Sequence, residues 1–293
     1  MEKASDITVA IPTLDRPQAL LRCLEGIFSG SLQPAEVLVV DQGESRVTRS
    51  IIERFQSERT PVIHIQQSRQ GVSAARNLAG ARANCQIIAF TDDDCVPDAG
   101  WLAWMAGTFS ASPAIAGVTG NILPLGSESP GTFAVSVRIR NERFEFRNRA
   151  LPWYGGSGGN FAIRRDWLAR VGGYDERLGP GSPGKAAEDM DLFYRLLRAG
   201  AAICYEPKAV IYHERQDEAR LLQSFWNYSY GVGAISAKHL RRGDLYAGYI
   251  LGVWAFWLFW RTGLFPRKRL HAGEGLLSLR GCSRGLAYGF KLG

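Results

Sequence analysis

The chain has no cysteine pairs in a recognisable spacing, no signal-peptide pattern and no internal repeat. Its five cysteines, at 23, 85, 95, 204 and 282, are scattered and odd in number, with no CxxC or Cys/His cluster. That excludes a disulfide-stapled scaffold and a structural zinc site, and it predicts reduced thiols. Cys95, beside an acidic run, reads as a small buried filler rather than a nucleophile. The N-terminus passes from Met1 to Asp6 directly into a strand pattern, which predicts a cytoplasmic body. No basic stripe runs through the folded part. The net charge is +7, but the residues from Lys238 onward carry ten Lys/Arg and two Asp/Glu, so the first 237 residues sum to −1. A sequence pI of about 9.3 therefore gives no reason to expect a nucleic-acid partner. An apolar run of spanning length is missing too. Leu245–Trp260 is free of charge and holds seven aromatics, yet it is shorter than the roughly 20 residues a spanning helix needs.

What is present is a globular composition, 46% hydrophobic and 22% charged over 293 residues, enough for one large or two modest domains. Ile7–Ile11, Glu36–Val40, Val62–Ile65 and Ile87–Phe90 read as strands. Helical patterns open at Pro17 and Val72, cover 45–57, and follow again over Trp101–Phe109. Strands alternating with helices predict βαβ units and a mostly parallel sheet. From about 116 the rhythm changes. Ala116–Ile122 reads as a strand, 126–150 as irregular and charged, and Phe161–Ile163 as a short strand. The Gly/Pro-rich stretch from Gly172 to Gly184 suits a mobile lid. Glu188–Gly200 is helical in pattern, and 203–205 and 210–212 read as two short strands.

The chemistry gathers where strands end. Ile87–Phe90 runs into Thr91-Asp92-Asp93-Asp94. Three carboxylates at the end of a buried strand repel one another unless something positive neutralises them, and a divalent metal carrying a phosphate does so. A solvated acidic turn is the plain alternative. Pro12-Thr13-Leu14-Asp15-Arg16 follows the first strand, Asp41 ends the second, and Gly71–Asn77 opens a helix after the third. In a parallel sheet these loops share the carboxyl edge, where ligands bind. Asp41 suits the imide N–H of a uracil or thymine, Arg76 or a helix amino end suits a diphosphate, and Asp92 and Asp94 suit a ribose hydroxyl and a metal. The glycines of 155–159 suit a plain loop or a close approach of backbone to a ligand. Trp153 and Tyr154 suit either stacking on a ligand face or ordinary packing. Asp189 suits a helix-start acid as well as a base, and His213 a structural residue as well as a ligand.

Seven ordered motifs together resemble the family 2 glycosyltransferases. They are Val-Ala-Ile-Pro-Thr-Leu-Asp-Arg (9–16), Val-Val-Asp-Gln-Gly-Glu-Ser (39–45), Gly-Val-Ser-Ala-Ala-Arg-Asn (71–77), Phe-Thr-Asp-Asp-Asp (90–94), Gly-Gly-Asn-Phe-Ala-Ile-Arg (158–164), Gly-Gly-Tyr-Asp-Glu (172–176) and Glu-Asp-Met-Asp-Leu (188–192). The resemblance covers roughly 6–215. It implies the GT-A fold, an α/β, Rossmann-like, mostly parallel mixed sheet flanked by helices. The corresponding division is a transferase domain over 1–235, with a nucleotide-binding half about 6–115 and an acceptor half about 116–215. It implies a metal-dependent, inverting transfer from a nucleotide-diphospho-sugar, UDP- or dTDP-linked by preference, to a hydroxyl of a glycan or lipid-linked acceptor in polysaccharide or glycoconjugate biosynthesis.

By the same resemblance, Pro12, Thr13, Arg16 and Asp41 contact base and ribose, and Arg76, Asp92 and Asp93 the rest of the donor. Asp94, Asp92 and His213 hold Mn²⁺ or Mg²⁺, and Asp189 is the general base. Trp153, Gly158, Gly159, Asn160 and Glu188 lie near acceptor or donor sugar. Asp15 stands where Asn is common, and both hydrogen-bond locally; Gln42 stands where an acid is common, which alters the base or ribose contacts expected. Alternatives from other classes are a nucleotidyltransferase, whose Gly-rich Arg/Lys loop is absent from Pro12–Pro17, and a non-catalytic sugar-binding scaffold.

The tail 236–293 is basic and aromatic-rich. Lys238, Arg241 and Arg242 precede Leu245–Trp260, and Arg261, Arg267, Lys268 and Arg269 follow it. Aromatics favour the headgroup boundary and the flanking cations attract anionic lipid. Residues 238–269 are thus expected to lie peripherally or monotopically on the inner face of the cell membrane.

Overall fold

The computed structural model describes residues 6–57, 59–263 and 272–292. One mixed sheet organises them. β1 (Ile7–Thr13), β2 (Glu36–Asp41), β3 (Val62–Gln66) and β4 (Ile87–Thr91) are parallel, in the order β3-β2-β1-β4. The sheet continues through β8 (Asn160–Arg164), antiparallel to β4, then β6 (Ile115–Pro124) and β9 (Ala202–His213). Two short strands, β5 (Cys95–Pro97) and β7 (Phe144–Phe146), both pair antiparallel with β9.

Alternation fixes the layers. Val9, Ile11, Val37 and Val39 point to one face, against α1 (Pro17–Phe28), α2 (Arg46–Arg54) and α4 (Trp101–Ala111). Ala10, Leu38 and Val40 point to the other, against α3 (Val72–Arg82), α6 (Arg165–Arg170) and α7 (Glu188–Arg198). With both faces covered, these strands need continuous apolar runs, which is what β2 and β4 have. α5 (Pro152–Gly155) is a single turn before β8.

Three departures from the sequence pattern have local causes. Residues 202–213 form one strand rather than two, because β9 bulges over β6 between Gly120 and Ile122 and then resumes pairing. Gly120 permits this, since a Cβ there would sit 1.9 Å from the Ala209 carbonyl oxygen. The irregular stretch 126–150 contributes β7, whose Phe146 is buried. The stretch expected as a mobile lid is fastened along its length. Pro180 O accepts from Val72 N–H at 3.0 Å, Leu178 O from the Ser73 hydroxyl at 2.7 Å, and Asn77 exchanges two hydrogen bonds with the Tyr174 backbone. Leu178 is fully buried, so apolar burial adds to those bonds.

The tail begins earlier than its composition suggests. α8 (Glu218–Arg241), capped by Asp217 accepting from Arg220 N–H at 2.8 Å, runs without a break through residues 235 and 236. α10 (Ala272–Leu292) packs along it at backbone contact; a Cβ on Gly285 or Gly289 would lie 1.9 or 2.2 Å from an α8 carbonyl oxygen. α9 (Tyr246–Gly263) is anchored by its first turns, where Ala247 and Ile250 pack with Tyr194, Leu151 and Trp153. Among the described residues no helix is long and apolar enough to cross a membrane. Arg267, Lys268 and Arg269 lie outside the described residues, as does the side chain of Arg261.

Lys238 corrects the expectation of a lipid-facing cation. It is 2% exposed, with Nζ 2.6 Å from Asp191 Oδ1 and 2.8 Å from Asp175 Oδ2. Asp191, itself inaccessible to solvent, also accepts from His239 Nε2 at 2.8 Å and Arg195 Nε at 2.7 Å. A buried lysine requires such partners, and these tie α8 to α7.

Burial alone would raise the Asp191 pKa, but His239, Arg195 and Lys238 outweigh it and hold the carboxyl well below the usual range. Asp191→Ala should lower stability by about 3 to 5 kcal/mol, the typical result of breaking a buried ion pair. The carboxylate contribution is complete above pH ~4, the ordinary aspartate value, and is lost as pH falls below it. Denaturant melts should therefore show a gap between wild type and variant at neutral pH that narrows in acid.

Candidate active site

The carboxyl edge of β1, β2 and β4 collects the expected residues. Thr13 Oγ1 donates to Asp93 Oδ2 at 2.9 Å. Arg16 reaches Asp93 at 3.0 Å and Asp94 Oδ2 at 2.7 Å. Asp15, two residues after the strand, has φ 52° and accepts from Glu44 N–H at 3.2 Å. Asn and Asp tolerate that left-handed backbone best among residues with a Cβ, so Asp meets the same local need that Asn would.

Arg76 is the pivot of the site. It is 2% exposed, and its guanidinium lies 2.6 Å from Asp92 Oδ1 and 3.0 Å from Glu188 Oε1. It thereby joins the end of β4 to the start of α7. Gly158 and Gly159 pass directly over this pair. A Cβ on Gly158 would lie 2.7 Å from an Arg76 nitrogen, and one on Gly159 2.7 Å from Asp92 Oδ2. Burial, then the neighbouring Asp189, push the Glu188 carboxyl up to about 7 against the pull of Arg76. Burial likewise drives Asp93 up to about 7, with Arg16 opposing.

Asp189 is held by backbone donors, Oδ2 accepting from Gly158 N–H at 2.9 Å and Oδ1 from Met190 N–H at 2.7 Å. It sits in the first turn of α7 with Glu188 and Asp191, where the helix dipole favours negative charge.

His213, at the end of β9, places Nε2 3.7 Å from Asp94 Oδ1, while Nδ1 lies 2.8 Å from the Glu214 carbonyl. A proton on Nδ1 satisfies that carbonyl, so Nε2 is the ring nitrogen that faces Asp94. Asp94, Cys95 and His213 form the one group among the described residues that could hold a metal ion, with potential ligand atoms all within 4.8 Å of one another. Burial pushes the Cys95 thiol well above its ordinary pKa, so the thiol is a poor ligand. Burial also acts to raise Asp94, but His213 and Arg16 outweigh it and hold the carboxylate below its ordinary value. One carboxylate and one imidazole are donors that a divalent metal accepts. The Asp92 carboxylate is turned to Arg76 and stands outside this group.

Three connected hollows run across the edge. The first, about 650 Å³, is lined by Pro12, Thr13, Arg16, Gln42, Arg76 and the three aspartates. A bridging hollow of about 220 Å³ shares Arg76, Asp92, Glu188 and His213 with it and adds Gly158, Gly159 and Asp189. A second cleft, about 510 Å³, opens on the far side of Asp189 and includes Trp153 and Tyr154.

Two expected residues lie off these walls. Asp41 is 1% exposed, with one oxygen accepting from Gly43 N–H at 2.8 Å and the other 3.1 Å from His64 Nε2. Gln42 lines the first cleft instead, its amide stapling Gln67, Gln70 and Gly71 into the loop before α3. Asn160 is inaccessible to solvent. It accepts from Trp101 Nε1 and donates to the Asn121 and Ala209 carbonyls, so its amide serves the sheet and not a ligand.

The sequence also offered a signal that composition hid. Gln216, Arg220, Gln223, Ser224 and Asn227 line the first cleft at helical spacing, a polar face read only once α8 is known to cover the site.

Residues 8–172 match the family described as Glycosyl transferase family 2, and 129–239 match Glycosyltransferase like family 2. A pre-mycofactocin glycosyltransferase of Mycobacterium tuberculosis is 30% identical over 224 residues, 73% of this chain and 44% of that protein. This chain therefore spans less than half the length of that relative. Glycosyltransferase AglE of Haloferax volcanii is 26% identical over 277 residues, 92% of this chain and 84% of its own. Among solved structures, residues 1–349 of S. aureus TarS superpose with a TM-score of 0.63 at 14% identity, covering 98% of this chain and 81% of that one. A mannosyltransferase from Pyrobaculum calidifontis, solved with GDP-Man and Mn²⁺, gives 0.59 at 17% identity, covering 98% and 85%. At these identities the likeness shows the fold, the GT-A fold that the motifs implied.

The two glycines over Arg76 yield a test with an internal control. Gly158→Ala should cost about 1 to 3 kcal/mol by overpacking and loosen the Arg76 pairs. Gly107→Ala, where α4 leaves open space around the added methyl, should instead stabilise by about 0.5 to 1 kcal/mol. Denaturant midpoints of the two variants should move in opposite directions.

Proposed function

The chain belongs to glycosyl transferase family 2, and from that premise we propose that it transfers a sugar from a nucleotide-diphospho-sugar to an acceptor hydroxyl with inversion. The observation that carries the reading is the single groove in which Asp189 stands between a charged cleft and a second one. The first cleft takes the donor, with Arg16, Arg76 and the polar face of α8 around its diphosphate. Thr13 and Gln42 lie where base or ribose would rest. Asp41 reaches a base only if it exchanges its contact with His64.

Asp94 and His213 would hold a divalent metal, which when bound supplies positive charge to the leaving diphosphate. The acceptor oxygen forms its bond to the anomeric carbon as the bond from that carbon to the diphosphate oxygen breaks. Asp189 takes the hydroxyl proton, and the nucleoside diphosphate leaves with the electron pair. One base and one displacement give inversion. Gly158 N–H, bonded to Asp189, fixes the carboxylate's direction. Arg76, by pairing with Glu188 and Asp92, offsets the negative charge of the acids that adjoin Asp189. A nucleotidyltransferase would need basic residues after β1 beyond Arg16, and a non-catalytic scaffold would have no use for a carboxylate between two clefts.

In functional terms the body is taken as 1–235 and the tail as 236–293, with α8 serving both. Placement at the inner membrane face rests on the outer side of α9, where Tyr249, Phe256 and Trp257 are more than half exposed.

Thermal shifts with UDP, dTDP, GDP and CMP, each with and without Mn²⁺ or Mg²⁺, test the donor site, because ligand binding raises the melting temperature by mass action. Asp189→Asn should keep the nucleotide shift while turnover falls about 10² to 10⁴-fold; undiminished turnover removes it as the base. Asp94→Ala should abolish the metal-dependent part of the shift. A wild-type shift indifferent to metal would remove the metal role.

A further inference from the structure

The second cleft differs in chemistry from the first. Where the donor cleft is walled by aspartates, arginines and amides, this one is walled by Trp153, Trp254, Trp257, Met190, Val137 and Val232, with Asp189 at its junction. A sugar alone needs hydrogen-bond partners and one stacking ring. Three tryptophans and further aliphatics form a site for an apolar body of drug-like size or larger. Trp254 and Trp257, three residues apart on α9, belong to the aromatic segment outside the family motifs.

Arg138 adds a charge requirement. It lines the same cleft, where its guanidinium donates to the Tyr154 carbonyl at 3.4 Å. Among the described residues no carboxylate lies within ion-pairing distance of it. Burial pulls its pKa below the ordinary value despite Tyr205 and Asp189. A partly buried cation with no carboxylate in direct contact among the described residues favours an anionic ligand. The apolar wall also continues outward. Trp257 is 51% exposed and its neighbour Phe256 63%, so a chain too long for about 510 Å³ meets further apolar surface rather than water.

We propose that this cleft is the acceptor subsite and takes a glycan carried on a lipid phosphate. The sugar hydroxyl meets Asp189, the phosphate meets Arg138, and the hydrocarbon chain lies on Trp153, Trp254 and Trp257 before following α9 to the membrane. The proposal rests on the transferase reading, and it makes α9 a wall of the active site as well as a surface anchor.

Farnesyl phosphate serves as the probe, with farnesol and dimethylallyl phosphate as controls, measured by equilibrium dialysis on the full chain. Wild type should bind farnesyl phosphate at least about tenfold more tightly than either control, and Trp254→Ala/Trp257→Ala and Arg138→Gln should each lose about tenfold or more, the scale of a lost buried aromatic or charged contact. The metal-dependent nucleotide shift should be unchanged in both variants, which shows that they fold and that the donor site is intact. Equal binding of farnesyl phosphate by wild type and variants overturns the proposal. So does transfer to a water-soluble oligosaccharide with a KM that neither variant moves. If wild type shows no nucleotide shift, the transferase reading fails separately, whatever the farnesyl phosphate result.

Discussion

The site depends on one buried arginine. Asp92, Asp93, Asp94, Glu188 and Asp189 converge on the edge of the sheet, and such a cluster is unstable in a poorly hydrated place without positive charge. Arg76 answers this with a fork that reaches Asp92 on one prong and Glu188 on the other. A lysine, with one compact charge, would not span the end of β4 and the start of α7 in the same way. Arg16 does the equivalent for Asp93 and Asp94 from the solvent side. Among the described residues Asp189 accepts hydrogen bonds from backbone donors and is in no direct ion pair, unlike Asp92, Asp93, Asp94 and Glu188.

The pairing also explains the glycines and the fastened loop. Backbone at 158–159 can lie over Arg76 and Asp92 only without side chains. The loop through Pro180 closes on the start of α3, the helix that carries Arg76, through hydrogen bonds from Val72 and Ser73. Segments distant in sequence are thus committed to one geometry, because misplacing any of them would leave a buried carboxylate or guanidinium unpaired.

α8 links this site to the tail. Its first turns give the first cleft a polar wall, its middle supplies Tyr228 and Val232 to the second cleft, and its end inserts Lys238 and His239 beneath α7. The same helix carries α10 on a glycine seam and leads into α9. Body and tail consequently share a buried charge network, and the tail cannot be treated as a detachable appendage.

The alternating strand and helix patterns up to Phe109, the four strand ends and the motifs that resemble the family were all legible in sequence, because they rest on local periodicity and on residue types repeated in order. Local pattern also sufficed for the acidic run and Arg76 to be singled out, and the resemblance for Asp189 and His213. What it could not supply was pairing. Whether Asp92 turns to a metal or to Arg76, whether Asn160 faces a ligand or the sheet, and whether Lys238 meets lipid or Asp191 are decided by residues tens of positions away in the chain. The course of β9 depends on a bulge against Gly120, and the second cleft depends on α9 returning to the body through Ala247 and Ile250. Sequence determined the parts and their chemical types, since those follow from single residues and short periods. Only the tertiary structure decided which charge neutralises which and which cleft is wet or apolar, because burial and distance exist only once the chain has closed on itself.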